Sequence, residues 1–406
     1  MRAATALSLL LSLPVALPSA YLGALTVLSK KPPAKAPRIN PTTRFCFVVP
    51  AHDEEAGISA TVESLLAVDY PKDLFTVIVV ADNGADATAD RARSAGARVI
   101  ERADRAKRGK GYALERAFET LLDEGGSDAV VVVDADTTVS PNLLRAFDAR
   151  VAEGEVAMQA EYGVRNADAS WRTRLMTIAF SIFHGLRGNA RESLGLSAGL
   201  RGNGMAFTTR ALREVPHHAY SLVEDVEYGI RLGRAGHRFA HFHEARVFGD
   251  MVAGEEASRS QRKRWEDGRA KLRREHALPL FREAIAKRSL LLFDLAADLV
   301  VPPLSTIALG AFAGLSVASL YLIVRPTRGI PVVLPWAFSA AAIAAYVARG
   351  TLLSDAGARG FVDLAYAPVY VAWKTIRRQK DKAANGSPTA SGAGSTPEWV
   401  RTERGK

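Results

Sequence analysis

Two carboxylates stand at the end of the most strand-like run in the chain. Asp134 and Asp136 follow consecutive valines that end at Val133. Alternate residues of a strand point to the same face, so both side chains are expected to emerge together where the strand ends. Acidic residues are depleted in buried strands, and a cation shared with substrate phosphates is a common reason for them. The pair therefore predicts a Mg²⁺ or Mn²⁺ site, with a plain acidic loop as the alternative.

A second acidic pair precedes a helical pattern. Glu224 and Asp225 stand at the start of a segment that runs to Leu232. Carboxylates stabilise helix amino termini, so capping alone accounts for such a pair. A carboxylate within reach of a hydroxyl group can also take its proton as a new bond forms. The residues by themselves leave both interpretations open.

The third group is cationic and aromatic. Gln261, Arg264 and Trp265 are three and four residues apart, so they share a face if the segment Ser258–His276 is helical. Leu272 continues that face. An arginine there can neutralise a diphosphate, and an indole can form one wall of a binding site. The alternative is a basic amphipathic helix that lies on lipid.

Short valine- and isoleucine-rich runs alternate with helical patterns, which predicts an α/β fold with a mostly parallel sheet and helices on both faces. Ligands of such sheets bind beyond the carboxyl ends of the strands. Asp53, Glu54 and Asp82 follow the first two strands, so they should converge with Asp134 and Asp136 on one crevice. The predicted strands are Phe45–Val49, Val77–Ala81, Arg98–Ile100 and Val130–Val133, and the predicted helices lie near Gly57–Val68, Asp86–Ala95 and Gly109–Leu122.

Two glycine-bearing segments complete the candidate site. Lys110 stands between glycines at a predicted helix start, which lets a phosphate approach closely but is equally typical of a solvated turn. Gly202, Asn203 and Gly204 belong to a segment that resembles a strand. Glycine in a strand allows a ligand to come close, or merely forms a bulge.

The order of these motifs resembles that of the inverting family 2 glycosyltransferases, and the resemblance runs from about 45 to about 274. It implies a GT-A-type domain that transfers a sugar from a nucleotide-diphospho-sugar, with UDP-sugars as the favoured donors. It also implies that Asp136 ligates the cation while Asp134 lies beside the nucleotide and shares the metal site. Asp225, supported by Glu224, would then deprotonate the acceptor hydroxyl.

The same resemblance implies roles for the other candidates. Asp53 stands where the family often has asparagine, and Asn83 replaces the second acid of a common pair, so the nucleotide base stays open. The implied donor-binding residues are Asp53, Glu54, Asp82, Lys110, Asp134, Gln261, Arg264 and Trp265, and the implied acceptor-binding residues are Gly202, Asn203, Gly204 and Trp265.

The composition favours an anionic partner. The 406 residues carry a net charge of +10, and many of the basic residues stand beside apolar runs or in the segment Ser258–His276. Lipid and pyrophosphate are therefore favoured over nucleic acid, for which no recognition motif is present. The single cysteine, Cys46, permits no internal disulfide and fits a reducing compartment. A Rossmann dehydrogenase is excluded because the residues after the first strand lack its glycine motif.

Both ends of the chain carry apolar runs. Ala3–Leu28 predicts a membrane anchor or a cleaved signal peptide, and the basic residues that follow favour an anchor with the main domain in the cytoplasm. Leu304–Val324 and Val332–Ala348 predict two further spans. The predicted division is an anchor (1–29), a linker (30–44), the GT-A domain (45–275), an interfacial helix region (276–303), two spans (304–348), an interfacial basic segment (349–382) and a disordered tail (383–406).

These features favour a multi-pass enzyme of the inner (cell) membrane that joins cytoplasmic nucleotide sugars to lipid-linked or saccharide acceptors. Asp294 and Asp298 share one face of an apolar helical pattern, which favours a helix at the membrane surface. Polysaccharide synthases share the Gln-x-x-Arg-Trp motif but commonly use more than three spans, so single transfer is preferred and a processive synthase is the alternative. A non-catalytic binding protein would lack an essential acid, and none is missing.

Overall fold

The computed structural model describes residues 2–250 and 255–367, without the side chains of 2, 255–263 and 327–328. The strands are β1 (Phe45–Ala51), β2 (Phe75–Asp82), β3 (Arg98–Arg102), β4 (Ala129–Val132), β5 (Thr137–Val139), β6 (Ala157–Val164), β7 (Met205–Thr208) and β8 (Ala240–Gly249). The helices are α1 (Arg2–Leu28), α2 (Ile58–Leu66), α3 (Thr88–Ser94), α4 (Lys110–Glu124), α5 (Leu143–Ala152), α6 (Trp171–Phe180), α7 (Arg187–Ser193), α8 (Thr209–Glu214), α9 (Glu224–Arg234), α10 (Glu255–Lys287), α11 (Leu290–Val300), α12 (Leu304–Val324), α13 (Pro326–Leu353) and α14 (Gly357–Asp363).

The strands form one mixed sheet in the order β3-β2-β1-β4-β7-β6-β8-β5. The first four strands in that order, β3, β2, β1 and β4, are parallel to one another. The next strand, β7, runs antiparallel to both of its neighbours, β4 and β6. Parallel strands that are covered on both faces are rich in apolar residues, as the runs of valine and isoleucine here require. The predicted α/β class, with a mostly parallel sheet and apolar helices at both ends, is confirmed.

The core has two layers because alternate side chains of each strand point to opposite faces. On β1, Phe45, Phe47 and Val49 pack with residues of α2, α3 and α5. Cys46 and Val48, on the other face, pack with residues of α4, α8 and α9. The sheet is therefore held rigidly between helices, and its strand ends are fixed in position.

Three apolar helices are long enough to cross a membrane in the described part of the chain: Ala3–Leu28, Leu304–Val324 and Gly329–Leu353. They pack on one another, with the Trp336 indole N–H donating to the hydroxyl of Ser8 (3.1 Å). The helix Gly329–Leu353 begins before the predicted span Val332–Ala348 and ends after it. Many of their leucine and isoleucine side chains are exposed, as a lipid-facing surface requires. These helices indicate membrane association.

The helix α11 carries Asp294 and Asp298 on one face, as predicted, but that face packs on arginines of α7 and α10 and is not open to a membrane surface. Its interfacial location stays a prediction. Of the predicted interfacial and basic segment 349–382, the structure describes residues up to 367, including α14. The remaining basic residues and the predicted tail (383–406) lie outside the described residues.

Close packing at the start of α4 generates a stability prediction. A Cβ at Gly111 would overlap the backbone carbonyl oxygen of Ala219. Replacing Gly111 by alanine should therefore destabilise the fold by about 1–3 kcal/mol, although alanine favours helices. We expect a melting temperature lower by roughly 5 °C for the detergent-purified protein.

The matched control is Gly57→Ala. A Cβ at Gly57 would lie 3.6 Å from the carbonyl oxygen of Ala135, an ordinary van der Waals distance. Its melting temperature should stay close to that of the wild type. Equal melting of both variants would contradict the packing described at Gly111.

Candidate active site

The polar residues after β1 form a tight turn against the loop that follows β2. Asp53 has a positive φ of 52°, and its carboxylate accepts a hydrogen bond from the backbone N–H of Ala85 (2.7 Å). The backbone N–H of Glu54 donates to the hydroxyl of Thr88 (2.8 Å), and its carbonyl oxygen accepts from the N–H of Ile58. Asp53 thus fixes the β2 loop, and Glu54 opens α2.

The carboxylate of Asp82, at the end of β2, is engaged through its Oδ1 oxygen. It accepts hydrogen bonds from the guanidinium of Arg102 (2.5 Å) and from the side-chain amide of Asn83 (3.0 Å). Asp82 and Arg102 are paired positions on the neighbouring strands β2 and β3, so strand register places them together. Arg102 was not a candidate in the sequence, although a basic residue at a paired strand end was a usable signal.

The two aspartates after β4 do not continue the strand. The strand ends at Val132, and Asp134 to Asp136 form a turn in which the Thr137 N–H donates to the Asp134 carbonyl oxygen (3.2 Å). The expectation that strand alternation aligns the two side chains is therefore wrong. Both follow the end of β4, where the chain turns into β5, and both remain partly accessible.

Lys110 connects the parts of the site. Its ammonium group donates to the carboxylate of Asp134 (2.5 Å) and to the carbonyl oxygen of Gly202, and it lies 3.7 Å from the carboxylate of Glu224. Burial alone would lower the pKa of Lys110, but the neighbouring carboxylates raise it, so the side chain stays charged. One cation thus ties the β4 turn, the 202–204 loop and the start of α9 together.

The segment of Gly202, Asn203 and Gly204 is a turn that precedes β7. The sequence predicted that these residues would belong to a strand, and they do not. Both glycines have positive φ values, of 77° and 69°. A Cβ at Gly202 would lie 3.4 Å from the Lys110 ammonium and 3.6 Å from a carboxylate oxygen of Asp225. The loop lies directly beside the charged groups, and its positive φ values are what favour glycine.

Asn203 gives the loop its anchor. It is fully buried, its side-chain oxygen accepts from the backbone N–H of Asp134 (3.2 Å), and its amide donates to the hydroxyl of Thr137 (2.8 Å). Asn203 therefore positions the turn of the two aspartates. Its contacts are with the protein, so a direct role in binding an acceptor stays a prediction.

Glu224 and Asp225 occupy the first turn of α9. Burial raises the pKa of Glu224 to about 7, against the opposing charge of Lys110. Burial also raises the pKa of Asp225, against its backbone hydrogen bond and Lys110. Simple capping acids stay solvated and ionised, whereas these two are desolvated beside each other. Such perturbed carboxylates in a cleft indicate a functional site.

The helix α10 is longer than predicted and brings Arg264 to the same place. Burial lowers the pKa of Arg264, and the carboxylate of Glu224 opposes that change, so the two charges lie within electrostatic reach. A Cβ at Gly268 would lie 3.0 Å from the side chain of Val223, which fixes the helix against the start of α9. Trp265 is 37% exposed. The side chain of Gln261 lies outside the described residues.

No group of three or more potential metal-ligating side chains occurs within the described ranges. Two carboxylates are nevertheless enough for Mg²⁺ or Mn²⁺ when substrate phosphates complete the shell. Asp134 is already paired with Lys110, whereas the charge of Asp136 is felt by Arg165 farther along the chain. Both carboxylates are partly exposed beside the strand end, so the residues present fit a cation that binds together with its substrate, and Asp136 as its principal ligand stays a prediction.

Comparison with known proteins agrees with this arrangement. Residues 41–268 match the family model described as "Glycosyltransferase like family 2". The chain is 26% identical over 261 residues to the "Probable glycosyltransferase YdaM" of Bacillus subtilis (strain 168), which covers 62% of this chain and 60% of that protein. It is 28% identical over 246 residues to the "Beta-monoglucosyldiacylglycerol synthase" of Synechocystis sp., covering 56% of this chain and 49% of the relative. The alignments thus span about half to three fifths of these relatives.

A solved structure is similar over most of the chain. The mannosyltransferase PcManGT of Pyrobaculum calidifontis, in complex with GDP-Man and Mn²⁺, superposes with a TM-score of 0.53. The match covers 86% of this chain and 98% of that one, at 19% identity. At this identity the likeness shows the fold, which is GT-A-like.

The raised pKa of Glu224 predicts how stability depends on pH. Between about 4.5 and about 7 the folded state binds this proton more tightly than the unfolded chain, so stability should fall as pH rises through that window. The uncharged variant Glu224→Gln escapes this loss. The free energy of unfolding of the variant minus that of the wild type should therefore be larger at pH 8 than at pH 4.5, by about 1–3 kcal/mol.

Thermal melting of both proteins at the two pH values measures this difference. Glu63→Gln, which removes an exposed carboxylate of α2, is the control and should follow the wild type at both. A Glu224→Gln variant whose stability tracks the wild type at both pH values would contradict a raised pKa for Glu224.

Proposed function

Because the chain belongs to glycosyltransferase family 2, a family that uses nucleotide sugars, we propose that it transfers one sugar to a lipid-linked or saccharide acceptor with inversion at the anomeric carbon. The reaction serves the synthesis of a cell-surface glycolipid or polysaccharide. A processive polysaccharide synthase is the alternative. The observation that carries the proposal is the position of Lys110, bonded to Asp134 and close to Glu224. This single ion-pair centre joins a donor side and an acid–base side.

The donor side consists of the strand-end residues. Asp53, Glu54 and Asp82 line the turns after β1 and β2, where nucleotides bind in open α/β sheets. Asp82 is engaged by Arg102, so the pair Asp82–Arg102 presents a fixed polar surface to the base or ribose. UDP-sugars are the first donors to test and GDP-sugars the second, since one structurally similar protein binds GDP-Man.

The cation site we propose consists of Asp136 with Asp134, completed by the donor diphosphate. A bound Mg²⁺ or Mn²⁺ would neutralise charge on the departing diphosphate. Arg264 of α10, which lies near Glu224, supplies a second positive charge for the departing diphosphate. Trp265 is sufficiently exposed to form a wall of the sugar site. Gln261 precedes them on the same helix.

The acid–base step we propose depends on Asp225. Its carboxylate accepts the proton of the acceptor hydroxyl while that oxygen attacks the anomeric carbon. The bond from this carbon to the diphosphate breaks on the opposite face, and its electron pair leaves with the phosphate oxygen. Burial, which raises the pKa of Asp225, makes the carboxylate a stronger base than a solvated aspartate. Glu224 supports it from the same helical turn.

The membrane helices support an acceptor drawn from the bilayer. Three candidate spans pack beside the catalytic domain, and one curated relative is a diacylglycerol glucosyltransferase by its name. We place the enzyme in the cell membrane with its catalytic domain in the cytoplasm, where nucleotide sugars are made. Gly202 lies close to Asp225, where we place the acceptor, whereas Gly204 is buried against Val247 and supports this turn from behind.

Nucleotide diphosphate release tests the proposed reaction. Detergent-purified full-length protein should release the nucleotide from one donor of a panel of UDP-, GDP- and dTDP-sugars, with Mn²⁺ or Mg²⁺ and membrane lipid extract. Asp136→Ala and Asp225→Asn should each reduce kcat by about 100-fold or more, because the first removes a ligand of the proposed cation and the second removes the proposed base. EDTA should abolish release.

The matched control for these variants is Asp90→Asn, on the exposed surface of α3, whose only ion pair within the described residues is with Arg93. It should keep wild-type turnover. If Asp225→Asn also keeps it, another carboxylate is the base. If no donor is turned over although nucleotide binds, the non-catalytic alternative replaces our proposal.

The pH profile provides a separate prediction. Because burial raises the pKa of Glu224 to about 7 and also raises that of Asp225, kcat/KM should fall as pH drops below about 7. The pair titrates together, so the midpoint belongs to both residues. Initial rates between about pH 5 and about pH 9 give the profile. A flat profile over that range would contradict a base of this kind.

A further inference from the structure

Four arginine side chains meet where the catalytic domain contacts the apolar helices. They are Arg187 and Arg191 of α7, Arg201 of the loop before β7, and Arg269 of α10. The carboxylates among them are those of Asp294 and Asp298 on α11. Guanidinium groups thus outnumber the carboxylates of α11 in a place where most of these side chains are buried, which favours a further anion.

The excess of charge is greatest around one phenyl ring. Arg201, Arg187 and Arg269 lie over the ring of Phe183, at 4.4, 4.8 and 5.5 Å from its centroid. A ring face attracts one cation by about 0.5–2 kcal/mol, and it cannot offset the mutual repulsion of three. This platform of Arg201, Arg269 and Phe183 therefore has the properties of an anion site.

Arg201 is the cation without a carboxylate. It donates to the backbone carbonyl oxygens of Phe183 (3.2 Å) and Ala198 (3.1 Å), and within the described residues no carboxylate lies at ion-pair distance from it. Arg187, Arg191 and Arg269 all bond to Asp298. Burial lowers the pKa of Arg201, and the neighbouring arginines lower it further while Asp298 opposes them.

The platform is accessible and lies next to the proposed base. Arg269 is 23% exposed at its side chain, and Arg201 is also partly exposed. A cavity of about 30 Å³ is lined by both arginines, by Asp298 and by Val226, which follows Asp225 in the chain. The charges of Arg201 and Arg269 act directly on the carboxylate of Asp225.

The cluster is also bonded to the apolar helices. The Tyr21 hydroxyl of α1 donates to Asp294 (2.8 Å), and the Arg187 guanidinium donates to the Tyr346 hydroxyl of α13 (2.6 Å). Both helices are candidate membrane spans. An anion that reaches Arg201 and Arg269 from this side would therefore come from the lipid headgroup layer.

We propose that Arg201 and Arg269, stacked on Phe183, bind the phosphate group of a phospholipid-type acceptor and thereby hold its hydroxyl at Asp225. This assignment rests on the proposed transferase function and names its acceptor class. The donor diphosphate is the competing anion, and nucleotide affinity distinguishes the two.

A binding experiment with full-length protein in dodecyl maltoside tests the assignment independently of turnover. The probes are dioctanoyl phosphatidate, the matching dioctanoylglycerol and inorganic phosphate, with titrations followed by microscale thermophoresis. Phosphatidate should bind about tenfold or more tightly than dioctanoylglycerol, as expected for charge-assisted hydrogen bonds. Arg201→Gln and Arg269→Gln should remove this preference, and Arg201→Lys should keep part of it.

UDP and GDP affinities, measured on the same samples, report whether each variant is folded and whether its donor site is intact. They should stay within about twofold of the wild type, because the two sites are separate. Arg172→Gln is the matched control, since Arg172 lies over the ring of Trp171 at 5.2 Å and outside the cluster. It should keep the preference for phosphatidate.

Three results would overturn the assignment. Equal binding of phosphatidate and dioctanoylglycerol would leave the cluster a purely structural joint. A parallel loss of nucleotide affinity in Arg201→Gln would assign it to the donor diphosphate. Inorganic phosphate that binds as tightly as phosphatidate would identify a free-anion site. A phosphatidate preference without turnover on any donor would instead count against the transferase proposal and leave the phosphate site standing.

Discussion

The ion pairs of Lys110 are the interaction on which the site depends. Asp134, Glu224 and Asp225 place carboxylates on two elements that are far apart in the chain, and without a cation between them they would repel one another. Removing one partner of a buried charge pair commonly costs about 3–5 kcal/mol, since the other charge is left uncompensated. Gly111 follows from the same constraint, because a Cβ there would overlap the carbonyl oxygen of Ala219 and displace the start of α4, which carries Lys110.

The sequence was sufficient for the elements whose formation is local. The predicted strands and helices between Phe45 and Leu122 differ from the observed ones by a few residues, since apolar periodicity and turn residues determine them. It was insufficient where the backbone leaves the regular pattern. The Asp134–Asp136 turn and the glycine turn before β7 both look like strand extensions in the sequence, and only their tertiary hydrogen bonds, through Asn203, make them turns.

Partners that are distant in the chain account for the remaining differences. Arg102 joins Asp82 through strand register, and Asp298 joins Arg187 and Arg191 over more than one hundred residues. The two acids of α11 were recognised as one polar face, and a membrane surface was the simplest environment for it. The actual environment is a cluster of arginines, because an apolar helix that carries two acids can also bury them when enough cations converge.

That cluster also explains why the apolar helices matter to the site. Arg269 lies on α10 between Trp265 and Leu272, bonds to Asp298 of α11, and acts electrostatically on Asp225. The same carboxylate holds Arg191, which bonds to Tyr21 of α1. A shift of a membrane-facing helix would therefore disturb a network that reaches the acid–base pair. Because charged hydrogen bonds weaken steeply with distance and angle, such a network has few intermediate arrangements. The apolar helices accordingly do more than anchor the catalytic domain: they fix the orientation of α10 and α11 and, through them, the electrostatic surroundings of Asp225.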